Sequence, residues 1–139
     1  TIHRDVDWFP TTRPQDDPHL SPQEARPLPR VSGLGVDRAG RIWTAVLVPD
    51  ADWHATAAAP RPDTEGGGPV PLAEWAAYYD TVVEVIDPET HAVIASRRFP
   101  GVMGGVIDDG MLTEFRETGE GVVQAVVLLA TVAEPGSQP

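Results

Sequence analysis

The chain has no cysteine, so neither disulfides nor thiolate metal sites can hold its fold, and the redox compartment stays open. Basic residues are also scarce: 10 Lys and Arg stand against 21 Asp and Glu, which gives a formal net charge of −11. A charge of this sign repels nucleic acids and anionic membranes. We therefore expect no nucleic-acid partner, and the acidity favours solubility and cationic or basic partners.

Long apolar runs are missing as well. The longest, from Val122 to Val132, is interrupted by Gln124 and is well short of the ~20 residues that a helix needs to cross a bilayer. We therefore predict no membrane span. The chain begins at Thr1 without a signal-like apolar stretch, so we interpret it as processed or excised. This start favours a secreted or periplasmic location without establishing the compartment.

Strand-like segments run from Asp80 to Val132. Val, Ile, Thr and Phe crowd into short stretches bounded by Pro, Gly and Asp, a pattern typical of strands and turns. Between two of these stretches we predict a type I turn, because Pro88 presets its own φ and His91 falls where the chain must turn left-handed. With 139 residues, 41% of them hydrophobic, the chain is predicted to form one all-β domain.

A second organised segment precedes this region and is repeated within it. It has a glycine-punctuated strand over 32–36, a hairpin turn over 37–40 and a strand over 41–48. At a constant offset of 70 residues, Gly35-Val36, Gly40 and Ile42 find counterparts in Gly105-Val106, Gly110 and Leu112. Without the insertion that separates the copies, the period is about 42 residues, which is in the range of one β-propeller blade.

Two of the predicted strands are apolar at odd and even positions alike. These are Thr81–Ile86 and Val122–Leu129. A half-solvated antiparallel strand would alternate between apolar and polar residues. We therefore expect both strands to have both faces covered by other layers.

Three segments surround or interrupt the predicted β domain at 31–132. Residues 1–30 are rich in proline, which predicts an extended arm or edge strand. Residues 49–79 form an insertion with several aromatic side chains, in which 71–79 are predicted to be a short helix. Residues 133–139 are expected to be a flexible tail.

The segments 31–43 and 80–99 together carry a resemblance to a known group. They resemble the C-terminal blades of bacterial six-bladed β-propeller proteins related to the NHL-repeat group, and the similarity covers roughly residues 28–129. The resemblance implies four-stranded antiparallel blades around an axis, with Gly35 and Gly105 on inner strands. Its motifs are structural and imply no activity of their own.

The chain departs from that pattern at His91, where glycine is usual, in the long insertion, and in length. Six blades of about 42 residues need about 250 residues, whereas this chain supplies about two blades and part of another. Two blades alone would leave sheet edges and apolar faces unpaired. The chain is then a piece of a longer protein, a homo-oligomer in which three copies of two blades complete a ring, or a sandwich of different closure.

Aromatic residues of the insertion are the candidate ligand-binding residues, because rings on a loop can stack on sugars or anchor a protein partner. The alternative is that they fold back over the sheet as part of the core. The set comprises Trp53, His54, Trp75, Tyr78 and Tyr79.

No catalytic residue, metal ligand or cofactor is predicted. The four histidines never fall at ligand spacing, and no serine lies in a nucleophile-elbow context. Asp108 and Asp109 precede a glycine, which is typical of a solvated turn, and they lack the further oxygen ligands that calcium requires.

These observations predict a non-catalytic binding or assembly module that binds a protein partner or itself. Two alternatives remain open. One is part of a propeller hydrolase of the lactonase type, whose metal would lie on the central axis. The other is a carbohydrate-binding domain that uses the aromatic insertion, so that a glycan or another small molecule would be the ligand.

Overall fold

The computed structural model describes residues 27–53, 72–120 and 122–133. Within them the chain forms seven strands and one short helix, which confirms the all-β prediction. Most of the predicted arm, much of the insertion and nearly all of the predicted tail lie outside the described residues. The elements are β1 (Arg30–Val36), β2 (Ile42–Pro49), α1 (Leu72–Tyr78), β3 (Tyr79–Asp87), β4 (Ala92–Phe99), β5 (Met103–Asp108), β6 (Met111–Glu117) and β7 (Val123–Leu129).

The strands form two antiparallel sheets in which each strand pairs with its neighbour in sequence. The first sheet has the order β1-β2-β3-β4 and the second has the order β5-β6-β7. Four strands were predicted for each sheet. The first sheet agrees, whereas the second has three strands in the part of the chain that the structure describes.

The turns follow the local chemistry of the sequence. The β1–β2 turn closes with Gly40 at φ 80°, and the β3–β4 turn ends with His91 at φ 58°. Asp87 prepares the second of these turns by accepting hydrogen bonds from the backbone N–H of Glu89 and from the hydroxyl of Thr90. The predicted left-handed conformation of His91 is confirmed, although glycine would adopt it at lower cost.

The repeated sequence pattern corresponds to a repeated strand register. In the first hairpin Val36 pairs with Ile42, and in the second Val106 pairs with Leu112, each position being 70 residues further along the chain. The pair before these also matches, since Gly35 faces Trp43 and Gly105 faces Thr113. The two hairpins therefore share their register at these two pairs, although the second hairpin has a further register shift between Val106 and Asp108 and continues its pairing to Asp108 and Met111.

The two sheets pack face to face through one apolar core. The first sheet contributes Trp43 and Val85, each 3% exposed, and the second contributes Leu112, which is 1% exposed. Strand β3 is covered on both of its faces, because Val82, Val83 and Val85 are all buried. That part of the prediction for Thr81–Ile86 is confirmed.

Strands β1 and β5 approach each other at backbone distance where the two sheets meet. A Cβ atom at Gly33 would lie 2.5 Å from the backbone nitrogen of Val106 and 2.6 Å from Cα of Gly105. On the other strand, Gly105 has φ +126°, and a Cβ there would lie 2.8 Å from the carbonyl oxygen of Ser32. Side chains at these positions would push the two strands apart.

We predict that Gly33→Ala destabilises the fold by about 1–3 kcal/mol, because the added methyl group meets backbone atoms that cannot rotate away. The matched control is Gly119→Ala, since a Cβ at Gly119 meets nothing within 4 Å. That control should be neutral or slightly stabilising. Urea unfolding of both variants measures the difference, and equal stabilities would contradict the close approach of β1 and β5.

Candidate functional site

Asp37 organises the turn between β1 and β2 although it is buried. Its Oδ1 accepts hydrogen bonds from the backbone N–H groups of Ala39 (3.0 Å) and Arg41 (2.9 Å). Its Oδ2 accepts from Nε of Arg41 at 2.7 Å and from the indole Nε1 of Trp43 at 2.9 Å. The carboxylate thereby ties the turn to the largest side chain of the core.

The electrostatics of Asp37 follow from these contacts. Burial by itself raises the pKa of Asp37, but the hydrogen bonds from Trp43 and Arg41 outweigh it and hold the pKa below its ordinary value of 3.8. The group is therefore ionised at neutral pH, and all four donors bind the charged form. This arrangement stabilises the turn and supplies no free nucleophile or base.

The turns of the two hairpins lie side by side and are connected by a hydrogen bond and an ion pair between Arg38 and Asp109. The backbone N–H of Arg38 donates to Oδ1 of Asp109 at 3.1 Å, and the guanidinium Nε lies 3.4 Å from Oδ2. The prediction of a solvated turn at Asp108 and Asp109 agrees with the exposure of Asp108. It missed the structural role of Asp109, because a contact between turns 71 residues apart leaves no local signal.

Each sheet has two faces, and the contact inside the chain uses one face of each. We name the face of the first sheet that carries Trp43 and Ala45 its back face, and the face of the second sheet that carries Val106 and Leu112 its front face. These two faces form the core. By register, the front face of the first sheet carries Val36, and the back face of the second sheet carries Phe115.

The front face of the first sheet is exposed and apolar along β1. Gly35 points toward Val106 of the second sheet, so its neighbours Leu34 and Val36 point away from that sheet. Leu34 is 67% exposed and Val36 is 58% exposed. Val31 lies on the same face, because it pairs with Val46 on the side opposite the core, and it is exposed as well.

The back face of the second sheet is also exposed. Leu112 and its partner Leu128 face the core, so the alternate residues of β6 and β7 point outward. The full coverage predicted for Val122–Leu129 is therefore wrong for this chain, because no layer covers the outer side of β7 in the described part. The large exposed residues are Phe115 (40%), Val123 (55%), Val127 (55%) and Leu129 (73%).

The exposed positions of one sheet correspond to buried positions of the other. Val127 takes the place in the second sheet that Val85 takes in the first, and their exposures are 55% and 3%. Phe115 likewise corresponds to Ala45, which is 0% exposed. The back face of the second sheet thus exposes apolar side chains at positions whose counterparts in the first sheet are buried in the core.

The predicted ligand-binding aromatics are mostly used in packing. Trp53, Tyr78 and Tyr79 are buried, with exposures of 6%, 9% and 8%. Tyr79 begins β3 and stacks on the half-buried Trp75 with ring centroids 5.6 Å apart. The guanidinium carbon of Arg30, in β1, lies 5.3 Å from the centroid of the Trp75 ring.

This cluster brings Trp75, Tyr78 and Tyr79 together against Leu47 and Val102. His54 lies outside the described residues. Tyr78 and Tyr79 contribute to a core cluster, so among the candidates that the structure describes the half-buried ring of Trp75 has the most accessible surface for a stacked ligand. The role of these residues in ligand binding stays a prediction.

The described residues contain no group of three or more His, Cys, Asp or Glu placed to hold a metal ion together. The helix within these residues is too short to cross a membrane.

No protein-family model, curated protein or solved structure matches the chain.

We predict that Asp37→Asn lowers the free energy of unfolding at pH 7 by about 1–3 kcal/mol, because hydrogen bonds to a buried charged acceptor are lost or weakened. The folded-state pKa of Asp37 is lowered, so its contribution is fully present above the ordinary value of 3.8 and is lost as the pH falls through the folded-state pKa. The difference between the variant and the wild type should therefore shrink below about pH 4.

Urea unfolding across this pH range measures the effect, and Asp108→Asn is the control. It removes the same charge from the exposed last residue of β5 and should change stability by less than about 0.5 kcal/mol. An Asp37→Asn variant as stable as the wild type at pH 7 would contradict the role assigned to the carboxylate.

Proposed function

We propose that the chain is a non-catalytic assembly module of propeller type, and that the exposed back face of its second sheet is a docking surface for a further β-sheet. The observation that carries the proposal is the match between exposed and buried positions in the two sheets. Val127 and Phe115 occupy places that are core in the first sheet, yet they are 55% and 40% exposed. A face built like a core face but left uncovered is a surface for a further layer.

The apolar content of this face supports association by the hydrophobic effect. Full burial of one Val, Leu or Phe side chain is worth about 1.5–3 kcal/mol. Four such residues are exposed on the back face of the second sheet: Phe115, Val123, Val127 and Leu129. Three more are exposed on β1: Val31, Leu34 and Val36. Burial of these side chains would offset part of the free-energy cost of losing translational and rotational freedom on association.

The arrangement of the sheets supports the propeller interpretation. Two antiparallel meanders lie face to face, their first strands meet at Gly33 and Gly105, and their first turns are adjacent. Propeller blades meet in this way around an axis, with the first strand of each blade innermost. A ring of such blades leaves no face uncovered, which two sheets alone cannot achieve.

The other two functions predicted from the sequence have less support in the described residues. A metal-dependent hydrolase requires several carboxylates around one point, and the described acids are not grouped in that way. A carbohydrate site requires accessible rings, whereas Trp53, Tyr78 and Tyr79 are buried.

We predict that the full chain self-associates at micromolar concentration and that its average mass rises with sodium chloride. The back face of the second sheet is apolar, and salt screens the repulsion between copies that each carry a net charge of −11. Sedimentation velocity at several concentrations, in low and high salt, measures both trends.

An interface made of ion pairs would weaken in salt, so the sign of the salt effect separates the two kinds of contact. A chain that stays monomeric at every concentration and salt would contradict the proposal that the back face of its second sheet docks on a further sheet.

A further inference from the structure

We propose that two copies of this chain pair through the free edge of β7, antiparallel about a twofold axis at Val126, so that their second sheets form one continuous sheet. This contact uses the edge of the second sheet, whereas the proposed assembly function uses its back face. It goes beyond that function and adds a second copy of the chain as the partner.

β7 is the outer strand of the second sheet, and its outer edge has no partner strand among the described residues. The backbone N–H of Ala130 donates to the carbonyl oxygen of Gly110, and that of Thr118 donates to the carbonyl oxygen of Val122. Both bonds continue the register of the β6–β7 ladder at its two ends. Since consecutive residues direct their backbone groups to opposite sides, the even-numbered residues of β7 bond to β6. The backbone groups of the odd-numbered residues therefore point outward at the free edge. These residues are Val123, Ala125, Val127 and Leu129.

β7 lacks the features that protect the other edge strands from pairing. β1 and β5 contain glycines and register shifts, and they shield each other where Gly33 meets Gly105. β4 also has a register shift and carries Arg97 and Arg98. β7 has no glycine, proline or charged residue, and its register with β6 runs without a shift along its whole length. An uncharged, regular edge strand of this kind is a template for pairing with another strand.

The charge of the chain favours β7 as the place where a second copy can approach. Each copy carries a net charge of −11, so much of its surface repels another copy. No charged residue lies between Glu120 and Glu134, and β7 is within this stretch. Pairing of β7 with β7 therefore places no like charges opposite each other, an arrangement that would destabilise a strand pair.

β7 also matches itself in an antiparallel register centred on Val126. In this register Val123 lies opposite Leu129 of the second copy, and Ala125 lies opposite Val127. Each of these pairs joins residues whose backbone groups point outward, so each exchanges two hydrogen bonds. Val126 lies opposite its own counterpart in a pair without hydrogen bonds, with Cα atoms about 4.5 Å apart. Because directly opposed residues lie on the same face, the two back faces join into one apolar surface.

Ala125→Pro tests the edge contact. It removes an outward N–H group and leaves the bonds between β7 and β6 in place, and proline is tolerated at such positions of an edge strand. We expect its dimer dissociation constant to rise about tenfold or more, because each copy loses a hydrogen bond at the contact. Sedimentation equilibrium measures the change, and circular dichroism shows that the variant is folded. Ala125→Thr is the matched control, since it retains the N–H group and should dimerise like the wild type.

A single cysteine tests the register, because the chain has no cysteine and any disulfide must join two copies. Val126→Cys places its two Cα atoms about 4.5 Å apart, within the range that a disulfide spans. Val122→Cys is the matched control, because it is 53% exposed but lies four residues from the axis. Its two Cα atoms would be about 27 Å apart. On non-reducing gels after mild oxidation, Val126→Cys should form a covalent dimer much faster than Val122→Cys.

Phe115→Thr separates edge pairing from docking on the back face. It removes the exposed ring of β6 from that face and leaves the edge of β7 unchanged, so the edge-paired dimer should persist. Association lost in Phe115→Thr but retained in Ala125→Pro would overturn edge pairing and support the proposed function, so the two failures are distinguishable. A wild-type chain that stays monomeric would also overturn edge pairing. Cross-linking that is no faster at Val126→Cys than at Val122→Cys would overturn the register centred on Val126.

Discussion

The backbone contact between Gly33 of β1 and Gly105 of β5 is the constraint on which the rest of the structure depends. A Cβ atom at either position would lie 2.5–2.8 Å from the backbone of the opposite strand. The two strands can therefore come this close only because both positions are glycine. This approach brings Trp43 over Leu112 in one core and sets the two first turns beside each other. It also fixes which face of each sheet packs against the other sheet.

Local sequence chemistry was sufficient to predict the turns, the strands and their repeat. Pro88 and His91 placed one turn, and the recurrence of Gly35-Val36 at Gly105-Val106 predicted two hairpins of equal register. The hydrogen bond from Trp43 to Asp37 was missed, although an acidic residue at the start of a tight hairpin turn and an indole just after the turn are a usable signal. The pairing of Arg38 with Asp109 joins distant segments and could not be predicted.

The apolar pattern of β7 did not predict its exposure. Apolar residues on both sides of a strand indicate that both faces suit burial, but they do not indicate what lies over them. For β3 the covering layer is present in the chain, and Val82 and Val83 are buried. For β7 it is not present among the described residues, so Val127 and Leu129 remain exposed. This exposed face of β7 is the basis of the proposed assembly function.

Amide hydrogen exchange of the full chain, followed by mass spectrometry at increasing protein concentration, tests the account most directly. β1 and β7 lie at sheet edges and carry exposed apolar side chains, so their amides should open easily in the free chain and become protected on association. Amide exchange in these two strands should become slower as the protein concentration rises, whereas exchange in the β3–β4 turn should stay unchanged. Exchange that is independent of concentration in β1 and β7, or protection that appears in β4 instead, would contradict it.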